Sequence, residues 1–195
     1  EYVMECCTVC DLQGVNGTYK LFLAEGEVLP VTHEEWVNGE LRRWMVYVPS
    51  TYTGNEKVPL VLVMHGYTAS MYAIAEESRW YDVAEQNGFI VVFAQGLVRP
   101  ADLMGNIPTA MWLAGPFAAM AGKDTDPSVD LEFINSLLDR MEQDYRIDTT
   151  RVYATGHSNG SPDSTGCRLR RGCNGRRTRS KLQRSPPAGK REGYP

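Results

Sequence analysis

Five consecutive residues, Gly156-His157-Ser158-Asn159-Gly160, have the types and spacing for nucleophilic chemistry. The pattern G-x-S-x-G puts a serine on a sharp turn between a strand and a helix, where a base can reach its hydroxyl. Small residues two positions before and after the serine let the flanking elements approach closely. Val152-Tyr153-Ala154-Thr155 runs directly into the motif and reads as a short strand, which is the context the motif needs. A chance glycine turn is the plain alternative. The helix that should follow is replaced by Pro162 and a polar stretch.

A second candidate is His65-Gly66, which ends the apolar run Leu60-Val61-Leu62-Val63-Met64. A loop after such a strand can supply one donor to a tetrahedral oxyanion, and the residue after the nucleophile supplies the other. The two backbone N–H groups would be those of Tyr67 and Asn159. Gly66 would permit close backbone approach. For His65 itself, a buried, hydrogen-bonded ring that fixes the loop is preferred to a chemical role.

The elements that would position these groups are legible in the patterning. Asn38-Gly39, between Trp36-Val37 and Leu41 to Val48, predicts a hairpin with positive φ at both turn positions. Val58 to Met64 and Phe89 to Ala94 are continuous apolar runs of the kind buried on both sheet faces. Ser70 to Asn87 reads as one helix stopped by Gly88, and Asp130 to Tyr145 as a second. Residues 97–127 read as a long loop or lid. Strands alternating with helices predict an α/β domain over residues 31–160, with a mostly parallel sheet and helices on both faces. Residues 1–30 are left unassigned.

From about residue 41 to 160 the chain resembles the esterase family that contains polyhydroxybutyrate depolymerases and feruloyl and acetylxylan esterases. The resemblance rests on Leu60 to Gly66, on Trp80 to Gly96, and above all on Tyr145-Arg146-Ile147-Asp148 followed by Arg151 to Gly160. It implies an α/β-hydrolase with Ser158 as nucleophile, acting on small or polymeric carboxylic esters without metal or cofactor. It also implies secretion or a periplasmic location, although no signal peptide is visible at Glu1-Tyr2-Val3. Trp112 falls where such enzymes often carry a tryptophan near the substrate pocket. A loop aromatic packed on the core is the alternative preferred for it.

In that fold the triad runs serine, acid, histidine along the chain. The sequence has three histidines, His33, His65 and His157, and none follows Ser158. Asp163 and Glu192 are the acids beyond it. The expectation is a truncated α/β-hydrolase, inactive as it stands, whose nucleophile strand becomes a sheet edge. A catalytically silent or partner-binding fragment and a prolyl-oligopeptidase-like peptidase are the alternatives.

Charge marks a boundary near Gly160. Residues 1–160 hold 10 Lys/Arg against 22 Asp/Glu, a net of −12, while residues 161–195 hold 10 against 2, a net of +8. Beyond Ser161 the only large apolar residues are Leu169, Leu182 and Tyr194, so this basic tail is expected to be disordered and possibly an out-of-frame reading. It lacks the interleaved aromatics of a single-strand binder, and no nucleic-acid partner is expected. No apolar run is long enough to cross a bilayer. Cys6, Cys7 and Cys10 near the start, and Cys167 and Cys173 in the tail, suit a local disulfide or buried thiols better than a metal site. Oligomeric state is left open.

Overall fold

The computed structural model describes residues 3–5, 20–22, 30–101, 105, 107–113, 126, 128–161, 167–169 and 182–184. Its central feature is a five-stranded sheet. The strands are β3 (Val31–Val37), β4 (Glu40–Tyr47), β5 (Val58–Met64), β6 (Ile90–Ala94) and β9 (Ile147–Gly156), in the order β3-β4-β6-β5-β9. β6, β5 and β9 are mutually parallel, whereas β3–β4 and β4–β6 are antiparallel. The sheet is therefore mixed: the expected parallel pairing holds for the three strands beside the motif, and the expected hairpin forms the antiparallel side. The Asn38-Gly39 turn is the cause: with φ of 51° and 82° it reverses the chain, so β4 runs against its neighbours.

Both sheet faces are covered. Leu60, Leu62 and Met64 of β5 and Ile90, Val92 and Ala94 of β6 pack with Phe133, Ile134, Leu137, Leu138 and Met141 of α3 (Ser128–Asp144). Val61, Val63, Val91 and Phe93 point the other way, onto Met71, Tyr72, Ile74 and Ala75 of α1 (Met71–Ser78) and Tyr81 and Ala84 of α2 (Trp80–Asn87). Strand alternation explains the division, since successive side chains leave opposite faces of a sheet. At roughly 1.5 to 3 kcal/mol for each fully buried large apolar side chain, these two layers dominate the fold's stability.

The single helix expected over 70–87 is two helices. Ser70 caps α1, its Oγ accepting from the Ala73 N–H at 3.2 Å. Arg79 then turns left-handed at φ 51°, its N–H bonding to the Ala75 carbonyl. Its guanidinium donates to Asp82 at 2.7 Å and lies 4.9 Å from the Tyr81 ring centroid. These contacts hold a conformation that an L side chain rarely adopts.

The loop expected over 97–127 contains a hairpin, β7 (Leu97–Ala101) with β8 (Ile107–Met111). Leu97, Met111 and Leu113 form a small cluster against Tyr67 and Val129. Two further antiparallel pairs are short: β1 (Val3–Glu5) with β2 (Lys20–Phe22), and β10 (Cys167–Leu169) with β11 (Leu182–Arg184). Apart from those strands, the unassigned start, the basic tail and the pairing of the cysteines lie outside the described residues. Among the described residues β9 is an edge of its sheet, and no helix is long and apolar enough to cross a membrane.

Candidate active site

The three parallel strands end level with one another. Met64 pairs with Ala94 on one side and with Gly156 on the other, so His65, Gln95 and His157 leave the sheet at one rim. The apolar strands β5 and β6 are each followed at once by a buried polar residue and a glycine, His65-Gly66 and Gln95-Gly96, where the backbone leaves the ladder.

Ser158 stands at the start of a single 3₁₀ turn (Ser158–Gly160) and is exposed to solvent. Its φ is 49°, a left-handed conformation that costs a non-glycine residue roughly 1 to 2 kcal/mol. Close packing enforces it. A Cβ on Gly156 would lie 2.6 Å from the Met64 carbonyl oxygen and would collide with the Gly160 carbonyl. A Cβ on Gly160 would lie 2.7 Å from the Met64 oxygen and would collide with the His65 carbonyl. The motif glycines are thus required by backbone contact. Gly66 faces the same crossing, with the His157 ring 3.0 Å from where its Cβ would be.

Asn159 is fully buried. Its side-chain Oδ1 accepts from the Trp112 N–H at 2.7 Å, and its Nδ2 donates to the Trp112 carbonyl at 3.1 Å. Trp112 is also buried, and its indole N–H donates to the His65 carbonyl at 2.9 Å. Trp112 thus packs in the core, the placement preferred for it over a substrate pocket, and clamps the loop after β5 to the turn after β9. That pair of hydrogen bonds between Asn159 and Trp112 was not legible in the sequence, since the partners are 47 positions apart.

His65 is a structural ring. Its Nε2 accepts from the Gly96 N–H at 2.9 Å, and a backbone N–H can only donate, so the ring proton sits on Nδ1. Nδ1 then donates to the Gly66 carbonyl at 2.7 Å. The Gln95 amide donates to the same Nε2 at 2.9 Å, while its oxygen accepts from the Met71 N–H. Burial pushes His65 down to about 4, against a favourable bond to Gly66 that is too weak to offset it. Gln95 is a site-building residue the sequence reading passed over. A polar residue closing the run Phe89 to Ala94 was the available signal.

None of the three histidines is placed as a base for Ser158. His65 has both nitrogens engaged at the foot of the loop. His33 is on β3, stacked at 5.8 Å on Trp44, four strand spacings from β9, or roughly 19 Å. The exposed His157 ring lies over Gly66 and makes no hydrogen bond to Ser158 among the described residues. Tyr67 is half-buried against the Leu97 cluster, on the rim beside Gly66. Among the described residues, no group of three or more His, Cys, Asp or Glu converges to hold a metal ion.

The architecture matches solved hydrolases. An S-formylglutathione hydrolase from Agrobacterium tumefaciens superposes with a TM-score of 0.54 at 19% identity, over 68% of this chain and 50% of that one. A ferulic acid esterase superposes with a TM-score of 0.53 at 18% identity, over 71% and 52%. The fold is that of the α/β-hydrolases. Within this hydrolase fold, sequence likeness is to esterases. The chain is 28% identical over 115 residues to a bifunctional acetylxylan esterase/xylanase of Neocallimastix patriciarum, which is 59% of this chain and 14% of that protein. It is 30% identical over 130 residues to feruloyl esterase B of Piromyces equi, 66% of this chain and 22% of that protein. The resemblance to feruloyl and acetylxylan esterases is thus borne out. The chain spans less than a quarter of these curated relatives and about half of the two solved structures. No family model matches it.

Proposed function

We propose that this chain carries the nucleophile and oxyanion donors of a serine carboxylic-ester hydrolase. The observation that carries this reading is Ser158: exposed, left-handed, and held on a turn whose two glycines touch backbone on either side. In the proposed reaction, Ser158 Oγ bonds to the ester carbonyl carbon, the carbon–alkoxy bond breaks, and the serine proton leaves with the alcohol. Water then cleaves the acyl-enzyme to the acid and restores the hydroxyl. The backbone N–H groups of Asn159 and Tyr67 are assigned to the oxyanion, where each such donor lowers the barrier by about 3 kcal/mol.

The base and its orienting acid are assigned to residues that this sequence does not contain. Without a base, turnover of a serine triad falls by about 10⁶, and binding plus the oxyanion donors leave roughly 10³ over water. The reading is accordingly of a site that labels slowly and turns over poorly.

Likeness to an acetylxylan esterase and a feruloyl esterase favours acyl esters of plant cell-wall carbohydrate over peptides. Polyhydroxybutyrate stays in the substrate panel on the strength of the motif resemblance alone. Secretion belongs to the same proposal.

The test is labelling with a fluorophosphonate. Wild type should acquire the label slowly, Ser158→Ala should not, and equal labelling of the two would sink the assignment. Matched acetyl, feruloyl and hydroxybutyryl esters then rank the acyl group.

A further inference from the structure

An open cleft of about 500 Å³ lies at the end of the sheet opposite Ser158, roughly 20 Å back along β5 from Met64. The loop before β5 and the turn between α3 and β9 form its walls. They include Tyr52, Lys57, Tyr145 and Arg146, with Glu142 and Asp144 from the last turn of α3. We propose that this cleft binds an aromatic carboxylate, at a site separate from the ester-hydrolase chemistry and independent of that reading.

Strand register sets the charge. Val58 pairs with Ile147, and the Val58 N–H donates to the Arg146 carbonyl at 3.0 Å. Lys57 and Arg146, one residue earlier on each chain segment, therefore come side by side. Like charges placed this way repel. Both residues are exposed, and neither joins an ion pair among the described residues. Of the two carboxylates in the walls, Asp144 is bonded to Arg140 at 2.8 Å, so two cations stand against the one carboxylate of Glu142. This positive spot belongs to a region, residues 1–160, whose net charge is −12. An anion between Lys57 and Arg146 relieves the repulsion, and a guanidinium fork matches the two oxygens of a carboxylate.

The walls also favour a ring. Tyr52 and Tyr145 meet edge to face, with centroids 6.0 Å apart at 63°, and both are half-buried. Such a fixed pair offers a third ring an aromatic partner. The Tyr52 hydroxyl accepts the Arg146 N–H at 2.8 Å, which leaves its own proton to donate. Burial, and then the Asp144 carboxylate, raises the Tyr145 phenol above its ordinary value and keeps it a neutral donor. The volume is within the roughly 300 to 1,000 Å³ of small-molecule sites, more than a bare inorganic anion fills.

Naphthoate is titrated into the isotope-labelled full chain and followed by NMR, with naphthol as the uncharged ring and decahydronaphthoate as the saturated anion. Wild type should show saturable shifts at the amides of Tyr145, Arg146 and Ile147, while those of Gly156 and Asn159 stay in place. Arg146→Gln should weaken binding at least tenfold, and Lys57→Gln about threefold. Arg146→Lys, which keeps the charge without the fork, should fall between wild type and Arg146→Gln. Circular dichroism confirms that the variants fold, which exposed positions allow. No saturable shift, shifts confined to the Ser158 rim, or unchanged affinity in Arg146→Gln would each overturn the site. Naphthol or decahydronaphthoate binding as tightly as naphthoate would overturn it too. The probe carries no ester, so failure here leaves the ester-hydrolase reading standing, and failure of fluorophosphonate labelling leaves this site standing.

Discussion

The Asn159 side chain spans both backbone groups of Trp112, accepting its N–H at 2.7 Å and donating to its carbonyl at 3.1 Å. The turn after β9 and the segment after β8 are thereby tied by a buried amide. Asn159→Ala leaves two buried backbone groups without partners, a loss of about 3 kcal/mol. Urea unfolding of the variant should show that loss. Fluorophosphonate labelling should slow in parallel, because the same bonds fix the Asn159 N–H beside Ser158. Unchanged stability would mean that the clamp is not formed in solution.

Gly160→Ala should be more damaging than an ordinary surface change. Its Cβ would meet the carbonyl oxygens of Met64 and His65, and neither is a flexible side-chain end. Overpacking of this kind costs on the order of 3 kcal/mol. In a chain of this size that lowers the thermal midpoint by roughly 6 to 12 °C. A melt within 2 °C of wild type would show that the elbow relaxes freely.

Stability should fall as the solution is acidified from neutral, and His65 sets the window. The folded ring stays neutral down to about 4, against an ordinary histidine value of 6.5. Between those values the unfolded chain binds a proton that the folded chain refuses, so stability rises with pH there and is lost on descent. The full window corresponds to about 3 kcal/mol. Denaturation midpoints at pH 7 and pH 4.5 measure it. His65→Gln, which cannot protonate, should lose most of that slope even if its stability is lower throughout.

The Arg42–Asp130 pair ties β4 to α3 at 2.7 Å, with both side chains buried. Arg42 also lies 4.0 Å over the Phe133 ring, and the second Asp130 oxygen accepts from the Leu113 N–H at 2.5 Å. Asp130→Ala strands a buried cation and should cost about 4 kcal/mol. Replacing both partners, Arg42→Met with Asp130→Leu, should recover most of it. A double variant no better than the single one would assign the effect to the Leu113 bond instead.

Much of the fold was legible because local pattern and tertiary burial agree. Leu60 to Met64 and Ile90 to Ala94 are apolar at every position, and burial on both faces is the only arrangement that satisfies them. Asn38-Gly39 specified its turn through backbone sterics alone. The misreadings share a different cause. Arg79 breaks the helix through side-chain contacts to Asp82 and Tyr81, which apolar spacing does not register. In β7 and β8, Pro100 pairs with Pro108 across the ladder, and two prolines hide a strand from any reading of propensity. At the site, Ser158 and its glycines were readable from spacing. The ties among His65, Gln95, Trp112 and Asn159 were not, since each joins residues tens of positions apart.

The left-handed serine has an evolutionary consequence. Glycine would sit at position 158 with less strain, so Ser158→Gly should cost little stability and can raise it. A library of this chain screened only for heat survival would therefore be free to discard its hydroxyl. Thermal selection and chemical selection pull this one position in opposite directions, so only a screen that also demands reaction would hold the serine there against the thermal pull.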